Sequence, residues 1–360
     1  MTNLPLVYGL AFAGPALLAF TLTPWAVRLA ERLGVMDRPA PHKRHLRATP
    51  YLGGLPVAIA LVAAGVAVGG PSRELLVILG CAVAVAVVGL VDDVHTVGPL
   101  VKLAVEGLAG AVLWTAGVRA GFFGVAAADL VLTILWVIGI TNALNLLDNM
   151  DGLASGVTAI ASLAYFALAA QQGFFLVAAF ALALAGASLG FLRYNFPPAR
   201  IFLGDAGSLF LGFLLAALAL KLDLVGASGI VRAAVAALIL GVPVFDTLLV
   251  VVARLRGGRP VYVGGTDHFS HRLAGLGLSD RNIALLTYGA QAVCAGLAVL
   301  AERAAQGLLV GAASLGVVAA VVGLVLFLRV PAPASRVEIP ESPLVDLTPP
   351  AGADTRRGSS

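Results

Sequence analysis

Residues 131–156, VLTILWVIGITNALNLLDNMDGLASG, decide how the chain is to be read. The first eleven, 131–141, are apolar enough for the interior of a bilayer. The next fifteen bring in Asn142, Asn145, Asp148, Asn149 and Asp151. Polar groups at membrane depth are costly and usually serve a function. If the run stays helical, Asn142, Asn145 and Asp148 share one stripe at steps of three, and Asp151 continues it one turn further. Gly152 then lets the chain turn into the next apolar segment. The pattern is a membrane helix that ends in an inward-facing polar stripe.

The remainder of the chain supports a membrane setting. Of 360 residues, 60% are hydrophobic and only 12% are charged, and the mean hydropathy is +0.99. A soluble domain would carry about 25% charged residues. A spanning helix needs about 20 apolar residues. Eleven such segments can be drawn, or ten if two neighbours merge: 6–27, 52–70, 75–91, 101–118, 129–147, 153–170, 174–192, 206–222, 230–252, 283–301 and 307–328. They are continuous runs, not the ten-residue alternations of an outer-membrane barrel. The expectation is an all-α polytopic helix bundle, with residues 1–330 as one integral membrane domain. The Pro- and Ser-rich stretch 331–360 reads as a disordered cytoplasmic tail. The first segment lacks a basic leader and a cleavage site and is read as retained. Cys81 and Cys294 fall inside spans and read as small buried apolar residues.

With eleven spans, the 23 Lys and Arg residues divide 18 to 5 between the two faces. The positive-inside rule then makes the richer face cytoplasmic and leaves the N-terminus outside. The acids gather on the same face. Asp92 and Asp93 close the third span, Asp148 and Asp151 close the fifth, and Asp205 opens the eighth in IFLGDAGS. Five carboxylates at one level repel one another unless a cation sits among them. Oxygen ligands of this kind suit Mg²⁺, with Mn²⁺ as a substitute; Mg²⁺ typically takes one or two carboxylates together with substrate phosphates. Two basic, Gly-rich loops lie on that face. RPAPHKRHLRATPYLGG (38–54) carries Lys43 and Arg47, and ARLRGGRPVYVGGTDHFSHR (253–272) carries His268, His271 and Arg272. Cations beside Gly-rich turns make anion cradles. Lys102, ten residues after Asp92, is within reach of the same pocket, and Glu106 one turn later is a candidate partner for it. Carboxylates, cations and small residues on one face point to a diphosphate bridged by Mg²⁺.

In this order the motifs resemble the polyprenyl-phosphate N-acetylhexosamine-1-phosphate transferases of bacterial envelope synthesis, of the glycosyltransferase family 4 type. The likeness runs from about residue 28 to 275 through DRPAPHKRHLRATPYLGG, GLVDDV, NALNLLDNMDGLASG, IFLGDAGS and DHFSHRL. It implies that Asn145 and Asp205 hold Mg²⁺ and that Asp92 and Asp93 are essential acids, one of them acting on the lipid phosphate. Asp148 and Asp151 would serve the nucleotide end, and Phe202 would stack on uracil. Lys102, His268 and Arg272 would contact phosphates, while Lys43, Arg47 and His271 help to grip the donor. The implied partners are a UDP-sugar and undecaprenyl phosphate within the membrane lipid, with no nucleic acid. The implied location is the bacterial inner membrane with the site facing the cytoplasm, and a homodimer is compatible with it.

The members that transfer phospho-MurNAc-pentapeptide usually carry three consecutive histidines in the last motif. DHFSHRL has two, separated by Phe269 and Ser270, which favours UDP-GlcNAc as donor and leaves the choice among N-acetylhexosamines open. Asn149 also stands where Gly is common. An ion-coupled transporter is the competing class. It would place its acids near the midplane, and the orientation of Asp246, deep in the ninth span, discriminates between the two.

Overall fold

The computed structural model describes residues 3–37, 48–69, 72–121, 124–222, 229–303 and 306–332. Among them the chain forms thirteen helices and one pair of two-residue strands. In order these are α1 (Leu4–Leu33), β1 (Met36–Asp37), β2 (Thr49–Pro50), α2 (Gly54–Gly69), α3 (Arg73–Val94), α4 (Pro99–Thr115) and α5 (Ala126–Leu147). They continue with α6 (Leu153–Gln171), α7 (Phe175–Asn195), α8 (Gly204–Lys221), α9 (Gly229–Ile239), α10 (Gly241–Arg256), α11 (Phe269–Gly275), α12 (Asp280–Arg303) and α13 (Gln306–Arg329). The antiparallel strands bracket 38–47, so Lys43 and Arg47 lie outside the described residues.

Each of the eleven expected spans falls on a helix or, at 230–252, on a pair of helices, but not every one is long and apolar enough to cross: α4, with 17 residues, is not. Among the described residues seven helices are long and apolar enough to cross a bilayer: α1, α3, α5, α6, α7, α8 and the part of α12 up to Leu300. The α9–α10 pair adds an eighth, and the apolar parts of α2 and α13 are shorter. The chain is thus a multi-pass membrane protein.

The expected continuous span 230–252 is broken. Its two halves meet at 87°. Pro243 in the first turn of α10 has no N–H to extend a helix backwards, and Gly241 precedes it. The backbone groups freed at the break are recovered by buried Gln291 of α12. Its amide nitrogen donates to the Ile239 carbonyl, and its oxygen accepts from Val242 N–H. In an apolar interior such rescue is what makes a broken helix tolerable.

Helix α8 is the centre of the bundle. From Ala206 to Ala219 every residue is buried, as fits a helix that is apolar all round. It packs against α2, α3 and α5, while α1 and α7, and α6 and α12, pair around it. Alternating chain direction brings six helix ends to one level: the C-termini of α3, α5 and α7 and the N-termini of α4, α6 and α8. The polar residues collect there.

Candidate active site

The site begins with the contact between α3 and α8. Gly204 opens α8 with φ +72°, and a Cβ there would lie 2.6 Å from Asp93 Oδ2 and 2.8 Å from the Tyr51 carbonyl oxygen. Glycine alone allows both that backbone and that approach. With α8 so close, both Asp93 oxygens are used. Oδ1 accepts from Asp205 N–H at 2.7 Å and Oδ2 from Ala206 N–H at 3.0 Å. These are donors that a helix N-terminus leaves unpaired, and its dipole favours a carboxylate there.

Asp92, one residue earlier, faces Lys102. The Lys102 ammonium lies 3.0 Å from Asp92 Oδ2 and 2.9 Å from Asp205 Oδ2, bridging α3 and α8 from the first turn of α4. Asp92 also accepts from Val97 N–H, which closes the α3–α4 turn. On its other side Asp205 Oδ1 accepts from Asn145 Nδ2 at 2.9 Å, and the same amide lies 2.9 Å from the buried Ser208 Oγ. With its nitrogen so placed, the ligand atom Asn145 can offer a metal is its carbonyl oxygen. Glu106, expected beside Lys102, accepts from Asn142 instead.

Asp148 ends α5 beside this group. Burial, then the neighbouring carboxylates of Asp205, Asp93 and Asp151, push its carboxyl well above the usual carboxylate range. Tyr51 is driven up in the same way, by burial and then by Asp37, Asp148, Asp93 and Asp205. Asp151 turns one oxygen to Ala199 N–H at 2.8 Å and so fixes the α7–α8 connection. Phe202 is held by its backbone, N–H to Pro50 and C=O from Gly53, and its ring meets Tyr51 edge-on at 5.7 Å.

The last basic segment approaches from another direction. Ser270 Oγ donates to Asn149 Oδ1 and ties α11 to the turn that carries Asp148. His268 Nδ1 lies 2.7 Å from Asp246 Oδ2, and Phe269 N–H donates to Asp246 Oδ1 at 3.0 Å. Asp246 is therefore committed to α11 and does not turn to the other acids, as the transporter reading would require. The His271 ring stands 5.8 Å from that of His268. Arg272, expected at a phosphate, also has protein partners. It is buried, 4% exposed, and its guanidinium donates to the carbonyls of Asp267, Phe327 and Val330. Its planar donor fork thus ties the segment before α11 to carbonyls at the end of α13. Asp267 itself is clasped by Arg259, at 2.6 and 3.1 Å, and by Arg254 at 3.3 Å. Burial raises its carboxyl, but the two arginines outweigh this and hold it below the usual range.

Sequence reasoning passed over Asn195. It is buried, accepts from Gly152 N–H and Ser155 Oγ, and donates to the Ile201 carbonyl. It thus joins the starts of α6 and of the loop before α8 to the end of α7. A lone Asn in FLRYNFPP carries no signal of that.

Two carboxylates, Asp92 and Asp205, therefore share one ammonium, and Asp93 and Asp148 lie close to Asp205. Among the described residues no three His, Cys, Asp or Glu side chains form a ready-made metal cage. Mg²⁺ does not need one, because it usually takes one or two carboxylates and completes its shell with water and phosphate oxygens. An excess of oxygen donors, with Asp148 held against its own ionisation, fits a hard divalent cation.

Comparison with known proteins agrees with this arrangement. Residues 75–223, which hold three of the five motifs, match the glycosyl transferase family 4 model. The chain is 34% identical over 289 residues to a probable undecaprenyl-phosphate N-acetylglucosaminyl 1-phosphate transferase of Bacillus subtilis, covering 77% of this chain and 80% of that protein. It is 31% identical over 311 residues to a decaprenyl-phosphate N-acetylglucosaminephosphotransferase of Mycobacterium tuberculosis, covering 76% and 77%. A phospho-N-acetylmuramoyl-pentapeptide-transferase of Shouchella clausii matches over less, 237 residues at 32% identity, covering 59% and 72%. With three of its motifs on converging helix ends and relatives along three quarters of its length, the chain belongs to glycosyl transferase family 4.

Proposed function

We propose that the protein transfers GlcNAc-1-phosphate from UDP-GlcNAc to undecaprenyl phosphate, giving a polyprenyl diphosphate-linked sugar and UMP. The observation that carries this reading is the Asp92–Lys102–Asp205–Asn145 chain of contacts at one end of the bundle. A phosphate esterified to a membrane lipid sits at headgroup level, which is where such an end lies. The names of the B. subtilis and M. tuberculosis relatives support the sugar and the polyprenyl acceptor. The excess of Lys and Arg supports a cytoplasmic location for the site end and, with bacterial relatives, the inner membrane.

In this reading Asp205 and Asn145 would hold Mg²⁺ on the donor diphosphate, where it supplies charge neutralisation for the phosphoryl group in flight. Lys102 neutralises phosphate oxygens and keeps Asp92 and Asp205 together. Asp93 anchors the first turn of α8, so that Asp205 keeps its aim. Phe202 and Asp151 serve the nucleotide end, Lys43, Arg47 and His271 help to hold the donor, and His268 contacts phosphate. A phosphate monoester has its second pKa near about 6 and is largely dianionic at neutral pH. The attacking oxygen therefore needs neighbours that offset charge more than it needs a base, and positioning with electrostatics carries most of the rate.

The experiment is release of UMP by the purified protein with undecaprenyl phosphate and Mg²⁺, across a panel of UDP-sugars. UDP-GlcNAc is expected to be the best donor. A strong preference for UDP-MurNAc-pentapeptide would move the protein to the peptidoglycan branch. No UMP from any donor would overturn the transferase reading.

A further inference from the structure

Asp246 is fully buried, 0% exposed, in the half of the broken span that leads to the last basic loop. A buried carboxylate is costly unless paired and hydrogen-bonded. Here both oxygens are used on one short segment, Oδ2 by His268 Nδ1 at 2.7 Å and Oδ1 by Phe269 N–H at 3.0 Å. His268 is 4% exposed and precedes α11 directly. The break at 240–241 turns α10 away from the line of α9, which directs its first turns toward this segment. A carboxylate on Nδ1 decides which ring nitrogen is left to act.

We propose that Asp246 is a positioning residue for His268: it holds Nδ1–H, so that Nε2, on the opposite edge of the ring, is the atom offered to a substrate phosphate. The inference rests on the transferase reading, to which it adds the residue that aims the histidine. A ring that donates to Asp246 from Nδ1 and to a phosphoryl oxygen from Nε2 carries a proton on both nitrogens. Asp246 is then the counter-charge that keeps the cation in a buried place. No proton changes hands; the ring acts as an oriented donor. The other charged and titratable groups around the pair are His271 on α11, Asp267 with Arg254 and Arg259, and Arg272, whose field includes that of Asp246. The Ser270–Asn149 hydrogen bond links this segment to the turn bearing Asp148, so a ring held by Asp246 is also held relative to the acid cluster.

The test uses the full chain in bilayers. In protein labelled with ¹⁵N-histidine, His268 is identified by the signal lost in His268→Gln. Nδ1 is expected to be protonated and strongly hydrogen-bonded in the wild type, and that signature is expected to be lost in Asp246→Asn, which still accepts from Phe269 N–H. In the UMP assay, Asp246→Asn is expected to lower kcat about 10- to 100-fold, by analogy with carboxylates that orient metal-bound histidines, with KM for UDP-GlcNAc within about twofold. Asp246→Glu is expected to recover part of kcat. The double variant Asp246→Asn/His268→Gln should be no slower than His268→Gln alone, as for residues acting as a unit. An unprotonated Nδ1 in the wild type, multiplicative losses in the double variant, or wild-type kcat in Asp246→Asn would each overturn the proposal. If the wild type releases no UMP at all, the transferase reading fails, while the ring signals still decide whether the pair exists.

Discussion

Lys102 and Asp205 are 103 positions apart in sequence and 2.9 Å apart in the fold, and the same ammonium reaches Asp92 at 3.0 Å. Three helices meet through one nitrogen. Two carboxylates so near each other repel unless a cation lies between them. The lysine therefore sets the spacing of the pair before any metal or substrate arrives. Lys102→Gln is expected to lower kcat/KM for UMP release by about 100-fold, the scale of losing one oriented charge at a reacting phosphate. Lys102→Arg should recover only part, because a planar fork does not replace a point charge between two acids. Activity within twofold of wild type in Lys102→Gln would refute this.

The two neighbouring acids do different work, and stability separates them. Asp93 spends both oxygens on the first N–H groups of α8, while Asp92 faces Lys102. Asp93→Ala is expected to remove about 1–2 kcal/mol of stability, as loss of a helix cap does, together with activity. Asp92→Asn is expected to abolish most activity with a much smaller change in melting temperature. Thermal melts beside the UMP assay decide it, and equal melting temperatures for the two variants would contradict the assignment.

What could be read in the chain before folding was the arrangement along it, and what could not was the partnering across it. The polar ends of apolar runs at Asp92–Asp93, Asn145–Asp148 and Asp205 locate the acid cluster because hydropathy fixes the depth of each residue. Periodicity says nothing of which side chain meets which. A basic motif marks Arg272 for phosphate, and nothing in it signals that a carbonyl at the end of α13, 55 residues later, takes its guanidinium. The break at 240–241 is marked in the sequence only by Gly241 and Pro243 inside an apolar run, and the residue that repairs it, Gln291, lies in another helix.

The pH dependence of stability should carry the sign of Asp148. Its carboxyl is raised in the folded protein by burial and by the acids around it, above an unfolded value near about 3.9. Such a group contributes stability that is full below the unfolded pKa and is lost as pH rises through the folded one. Asp267 has the opposite shift, so its contribution is lost only on acidification, below the unfolded value. In metal-free protein, melting temperature is therefore expected to fall from about pH 5 upward through the folded pKa of Asp148. Asp148→Asn should flatten that fall. A wild-type profile that rises over this range, or one identical to that of Asp148→Asn, would contradict the account.

Divalent cation should matter for the same electrostatic reason. With excess EDTA, UMP release is expected to drop to background, and Mg²⁺ should restore it, with Mn²⁺ as a substitute. Melting provides a readout apart from activity. Mg²⁺ is expected to raise the wild-type melting temperature, more so at pH values where Asp148 is ionised, and to do so less in Asp205→Asn. Turnover undiminished by EDTA would remove the metal from the proposed function.

Arg272 provides the sharpest separation between a ligand contact and a structural clasp. Its guanidinium donates to the carbonyls of Asp267, Phe327 and Val330, tying the segment before α11 to the end of α13. Truncating it removes the donors to the Asp267 and Val330 carbonyls, while Phe327 keeps Val330 N–H; one buried carbonyl left unsatisfied costs about 1–3 kcal/mol. Arg272→Met, which keeps the bulk and removes the donors, is expected to lower the melting temperature. KM for UDP-GlcNAc in the protein that remains folded should stay within about twofold, because uniform binding is lost only when a ligand contact is removed. A phosphate-contacting arginine would give the reverse pattern, a KM raised tenfold or more with melting unchanged. Measuring both on one preparation tells which of the two this residue is.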